Sequence, residues 1–297
     1  MNLEVISHLP VGRAHPTPLL FVHGAYSGAW VWDEHFLPFF ARNGYQAHAL
    51  SLRGHGESPG HEGLIFARLR DYVADVEEVM ATLPTPPVLI GHSLGGMVVQ
   101  KVMHRRELPA AVLMASAPPH GMITSMFGMA FANPGLIREL AMVQTVGPMA
   151  VDGVNLRRAL FADATPDETV ARCMRRFQSE SALVVLDLLG LDLPPSTPCL
   201  DLPVLVLGAE HDSFVFRGGL DATADTYRTV AEVFPGIAHA MMLEHNWQTV
   251  ADRILGWLAA TVKPKAEASA PRKRAADRAA TPKADLPAVS GTATQVH

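Results

Sequence analysis

Gly91-His92-Ser93-Leu94-Gly95 places a serine between two glycines, each two residues away. The apolar run Pro86–Ile90 precedes it, and Gly96–Met103 follows with the composition of a buried helix. A serine on so sharp a strand-to-helix turn sits in a strained backbone region. The turn leaves no room for side chains two positions to either side, so glycine is the type required there. The Ser93 hydroxyl then stands above the sheet at a helix N-terminus. Free backbone N–H groups and the helix dipole stabilise negative charge that develops at such a place.

A nucleophilic serine needs a base, the base needs an orienting acid, and the oxyanion needs donors. The apolar run Val204–Gly208 ends in Ala209-Glu210-His211-Asp212-Ser213. An acid just past a strand end lies at the rim where open parallel sheets form their sites. Asp212 is the preferred acid and Glu210 the alternative. After the last strand comes Pro235-Gly236-Ile237-Ala238-His239. His239, in a loop directly after a strand, is the candidate base. His245 opens the final helix and reads as a surface or capping residue. The chain has 14 histidines, so chain order and strand-end placement carry the choice. Oxyanion donors are expected at the N–H of Leu94, next to the nucleophile, and at the N–H of Ala25, in the loop after the strand Leu19–Val22. His23 reads as a residue bonding loop backbone. His55 lies in a glycine-rich turn beside Arg53, which is available for a buried ion pair.

The elements that must hold these residues alternate along the chain. Strands are expected at Leu3–Ile6, Pro18–Gly24, Tyr45–Leu52, Val88–Ile90, Ala110–Ala115, Val204–Gly208 and Thr229–Phe234. Helices are expected at Asp33–Arg42, Phe66–Leu83, Gly96–Met103 and Asn246–Ala260. Continuous apolar strands between helices imply a mostly parallel central sheet covered on both faces, an α/β fold. The alternation breaks between Pro118 and Pro203, where helical pieces, prolines and methionines (Met122, Met126, Met129, Met142, Met149, Met174) show no strand period. This stretch reads as a helical cap over the serine. The expected division is a core of residues 1–118 and 203–262, a cap of 119–202 and a tail of 263–297.

The tail carries seven basic side chains against three acidic ones and almost nothing to bury, which is the composition of a disordered segment. It reads as a solvated extension or, alternatively, as a tether to an anionic partner. The whole chain of 297 residues has a net charge of −5 and is 48% hydrophobic. That is enough for a large core, and it predicts no general affinity for nucleic acid or acidic membranes. Cys173 and Cys199 are too few for a disulfide framework and lack metal-site spacing. The N-terminus has no basic region followed by a long apolar stretch, and no run is long enough to span a membrane. The expectation is a cytoplasmic protein.

Five segments together resemble the α/β-hydrolase fold family: Leu19–Ala25, Leu52–Ser58, Gly91–Gly96, Gly208–Asp212 and Gly236–His239. They are most similar to its large capped group, which contains carboxylesterases, lysophospholipase-like enzymes, perhydrolases and carbon–carbon bond hydrolases. The resemblance implies an eight-stranded sheet, here with the first strand short or absent. It also implies ester hydrolysis through an acyl-enzyme on Ser93, Asp212 and His239, with a small-molecule ester as substrate and no metal or organic cofactor. The loop Ala25–Trp30 is similar to those of plant-type esterases and hydroxynitrile lyases. The alternatives are therefore carbon–carbon hydrolase or lyase chemistry on the same residues and, further off, a ligand-binding protein on a retained hydrolase pocket.

Overall fold

Alternate residues of each apolar strand face opposite ways, so continuous apolar runs must be covered on both sides. The computed structural model describes residues 1–148, 151, 153–195 and 201–262. Met149, Cys199 and the tail 263–297 lie outside the described residues. The strands are β1 (Val5–His8), β2 (Leu19–Val22), β3 (Ala47–Leu50), β4 (Val88–His92), β5 (Ala111–Met114), β6 (Val204–Ala209) and β7 (Ala231–Phe234). They form one sheet in the order β1-β3-β2-β4-β5-β6-β7. β1 is antiparallel to β3, and every other pair is parallel. The described sheet thus has seven strands, fewer than the eight the family resemblance implied.

Period-two alternation divides the core. Leu19, Phe21, Ile90, Val112 and Leu207 face one layer, where Trp32, Phe36 and Phe40 pack with Ile254 and Leu258. Leu20, Val22, Leu89, Leu113 and Val206 face the other, against Leu69, Val76, Met97 and Val98. The helices that cover these faces are α1 (Trp30–Asp33), α2 (Phe36–Arg42), α3 (Leu69–Thr82), α4 (Leu94–Met103), α10 (Arg217–Thr226) and α11 (Trp247–Thr261). Between β5 and β6 the chain forms α5 (Ile123–Ala132), α6 (Pro134–Val146), α7 (Val154–Leu160), α8 (Asp167–Met174) and α9 (Ala182–Leu186), followed by a π turn at Asp187–Leu191.

Element boundaries differ from expectation for identifiable reasons. The expected helix Asp33–Arg42 divides into α1 and α2. A continuous helix would set the Pro38 ring against the Glu34 carbonyl, and restarting at Phe36 puts Pro38 in a first turn, where it is tolerated. The helix expected from Phe66 starts at Leu69, after a 3₁₀ turn at His61–Phe66. Arg68 is its N-cap, and its N–H donates to Asp71 at 2.8 Å. Among the described residues no helix is long and apolar enough to cross a membrane.

Buried carboxylates are among the polar groups that tie the β5–β6 insertion to the rest of the chain. Asp187, fully buried, accepts from the Arg68 guanidinium and from the Leu69 N–H at 2.9 Å. Glu180 accepts from the Tyr72 hydroxyl at 2.6 Å and stands 3.3 Å from Nε2 of buried His55. Arg53 finds its buried partner in Asp75, at 2.6–3.0 Å.

Candidate active site

β4 delivers Ser93 into a backbone conformation of φ 53°, ψ −118°, which costs about 1–3 kcal/mol for a residue with a side chain. The flanking glycines make the turn possible by close approach. A Cβ on Gly91 would lie 2.5 Å from the Gly95 carbonyl oxygen, and one on Gly95 would run into the carbonyl oxygens of Val22 and His23. The Ser93 N–H donates to the Met114 carbonyl at 3.1 Å, and its own carbonyl accepts from Ala117 at 3.0 Å. The strained residue is therefore anchored to the end of β5.

Parallel register brings the C-terminal ends of β2, β4, β6 and β7 to one edge of the sheet. The loops that follow them carry Ala25, Ser93, Asp212 and His239. His239 Nε2 lies 3.0 Å from Ser93 Oγ, and its Nδ1 lies 2.9 Å from Asp212 Oδ2. Asp212 Oδ1 accepts the N–H groups of Phe214 and Val215 at 2.8 and 2.9 Å, which fixes the carboxylate. The Asp212 and His239 side chains are only 2% and 5% exposed, so their attraction is little screened by water. Glu210 is turned away: its carboxylate accepts the Gly236 N–H at 2.8 Å. His245 is exposed and stands 3.9 Å from Glu244.

The N–H of Leu94 is the first of α4, so it has no acceptor within that helix. Ala25 and Leu94 both line the cavity into which Ser93 opens. His23 bonds loop backbone on both sides. Its Nδ1–H donates to the Gly24 carbonyl at 2.8 Å, and its Nε2 accepts the Leu52 N–H at 3.0 Å. Burial, with His55 adding repulsion, pushes its pKa down to about 3, so the ring is neutral.

The cavity holds about 190 Å³ and has Ser93 and His239 in its wall. Among the described residues, none of its lining side chains is a lysine, arginine, aspartate or glutamate. Met122, Met126 and Met129 of the insertion line it; Met142 is exposed, and Met174 packs on the core. Arg172 pairs with Glu34 and Arg176 stacks over Trp30; neither reaches the cavity. Among the described residues no group of three or more His, Cys, Asp or Glu is placed to hold a metal ion.

Two buried side chains beside the site escaped the sequence reading. His92 donates its Nε2–H to the His239 carbonyl at 2.9 Å. Glu244, fully buried, accepts the N–H of Ala238 at 2.8 Å. The available signal for Glu244 was a lone carboxylate directly after the apolar run Met241–Leu243.

The chain is 25% identical over 238 residues to a monoacylglycerol lipase of Mycolicibacterium smegmatis, covering 76% of this chain and 82% of that protein. It is 31% identical over 134 residues to esterase PIR7B of Oryza sativa, but spans only 49% of that protein's length. A thermophilic esterase from Thermogutta terrifontis superposes with a TM-score of 0.67 at 21% identity, over 88% of this chain and 94% of that one, which is likeness of fold. A profile of the Alpha/beta hydrolase family matches residues 19–253, and the chain belongs to that family.

Proposed function

We propose that the protein hydrolyses carboxylic esters of small to medium, largely apolar substrates through an acyl-enzyme. The observation that carries this reading is the continuous hydrogen-bonded series Ser93–His239–Asp212 at the wall of an uncharged cavity. His239 Nε2 takes the hydroxyl proton as Ser93 Oγ attacks the ester carbonyl carbon. Asp212 holds the imidazole in the required orientation and stabilises its cation. The N–H groups of Leu94 and Ala25 receive the oxyanion, where the N-terminus of α4 adds a favourable dipole. The imidazolium returns its proton to the departing alkoxide. Water, deprotonated by His239, then attacks the acyl group on Ser93 and frees the acid.

The segment 119–202 works in this scheme as a cap. Its helices supply apolar side chains to the cavity, which exclude water and favour acyl chains over charged groups. The names of the lipase and esterase relatives agree with ester chemistry.

The deciding experiment treats the purified protein with a neutral fluorophosphonate and, separately, with p-nitrophenyl esters. Labelling at Ser93 together with ester turnover is expected. Labelling without turnover would replace the reading with carbon–carbon bond chemistry, and absence of both would leave a ligand-binding protein.

A further inference from the structure

Glu244 follows His239 by five residues and has no exposed surface. Its Oε1 accepts the Ala238 N–H and the Ala162 N–H, each at 2.8 Å, and its Oε2 accepts the Thr165 hydroxyl. Ala238 immediately precedes His239. Ala162 and Thr165 lie in the turn between α7 and α8. One carboxylate oxygen therefore bridges the loop of the base and the inserted segment. On the other side of His239, the Ala240 N–H donates to the Leu160 carbonyl at 2.8 Å. The two segments are thus bonded to each other both before and after the imidazole. Leu160, Ala240 and Leu243 also line the cavity.

Burying a carboxylate is costly unless donors satisfy it, and a neutral side chain would fill the same space at less cost. Three donors aimed at one side chain from two segments give this carboxylate a reason to be there. We infer that Glu244 is a positioning residue. It locks the His239 loop to the α7–α8 turn, so that the cavity wall and the imidazole keep one register. The inference rests on the ester-hydrolase reading only for the role of His239 as base. The consequence is kinetic, because displacing a catalytic group by about 1 Å can cost on the order of 100-fold in rate.

The test compares wild type with Glu244→Gln, Glu244→Asp and Thr165→Val. The readouts are the rate of Ser93 labelling by a neutral fluorophosphonate, followed by intact mass, and kcat and KM for p-nitrophenyl butyrate. Melting temperatures establish that each variant is folded at the assay temperature. Glutamine keeps the reach and an acceptor for both N–H groups, and the Thr165 hydroxyl can turn to accept from the amide. Aspartate keeps the charge but is one methylene too short to hold both segments. Glu244→Gln should stay within about threefold of wild type. Glu244→Asp should lose about 100-fold in labelling rate and kcat, with KM nearly unchanged. Thr165→Val should fall between the two.

An aspartate variant with wild-type rates would overturn the inference, as would a glutamine variant as slow as the aspartate one. A loss confined to the melting temperature, with rates intact, would also overturn it. Should Glu244→Asp fail to fold, Thr165→Val decides: slowed labelling supports the inference and unchanged labelling removes it. A wild type that labels without turning over ester defeats the ester reading, while the labelling rates still judge Glu244. A wild type that neither labels nor turns over ester removes the role of His239 as base, and this inference with it.

Discussion

His92 Nε2 donates to the carbonyl oxygen of His239 at 2.9 Å, and the two imidazole rings lie 4.7 Å apart. The residue before the nucleophile thereby clamps the backbone of the candidate base. Burial, reinforced by the neighbouring His239, holds the His92 pKa well below the ordinary histidine value. The ring is therefore neutral, and the nitrogen facing a carbonyl must carry its proton. His92→Phe preserves a ring but leaves that buried carbonyl without its donor, at a cost of about 1–3 kcal/mol. A lower melting temperature and a reduced kcat on p-nitrophenyl butyrate are expected. Unchanged values for both would show that the bond has no role.

Ser93→Ala should abolish ester turnover while the protein remains folded. The hydroxyl stands at the cavity wall, and its loss opens no gap in the core. Knockouts of a catalytic series cost several orders of magnitude, so residual activity above about a hundredth of wild type would contradict the assignment. The measurement is kcat with circular dichroism on the same preparation.

Asp212→Asn should depress kcat far more than Glu210→Gln, and His239→Ala far more than His245→Ala. Asp212 alone of the two acids reaches the imidazole, whereas Glu210 holds the Gly236 N–H. An amide in place of Asp212 favours the wrong tautomer of His239, a change worth about 10⁴-fold in a comparable serine–histidine–aspartate site. Equal losses within either pair would move the assignment.

The melting temperature should fall as the pH is lowered from 6.5. Burial keeps His23 neutral down to about 3 and His92 neutral well below 6.5. The unfolded chain protonates both near 6.5, so it binds more protons than the folded one and acid favours unfolding. Each such histidine adds a slope of about 1.4 kcal/mol per pH unit below that point. His55 works in the other sense. Burial lowers its pKa, but the nearby Glu180 carboxylate outweighs burial and raises it. Its contribution is full below 6.5 and is lost as the pH rises through the raised value. Calorimetry between pH 7.5 and 4.5 checks the balance, and a melting temperature that is flat or rising on acidification would contradict it.

Ester preference should follow apolar surface. The uncharged cavity wall predicts faster turnover along p-nitrophenyl acetate, butyrate and hexanoate. The gain in kcat/KM should be about fourfold per methylene until the cavity fills, from about 0.8 kcal/mol per buried CH₂. A charged hemisuccinate ester should be a poor substrate. Preference for it would require an arginine, and none is among the described residues of the cavity wall.

Much of this arrangement was legible in one dimension. Gly91 and Gly95 around Ser93 mark a turn that tolerates no side chain at those positions, a local steric requirement. Leu19–Val22 and Ala111–Met114 are apolar at every residue, which only a strand covered on both faces accepts. The acid and the base could be sought at strand ends because parallel topology gathers those ends at one edge. Pairwise distances are another matter. Glu210 and Asp212 are two residues apart in one loop, and only the folded backbone turns one to His239 and the other to Gly236. The choice of which methionines face the cavity, and the partners of Glu244, depend on contacts between segments far apart in sequence. Ala162 and Glu244 are 82 residues apart, and no local pattern marks a hydrogen bond of that range. Local sterics and hydrophobic periodicity are written in neighbouring residues, whereas hydrogen-bond partners across the chain are chosen only when the packing of whole elements is complete.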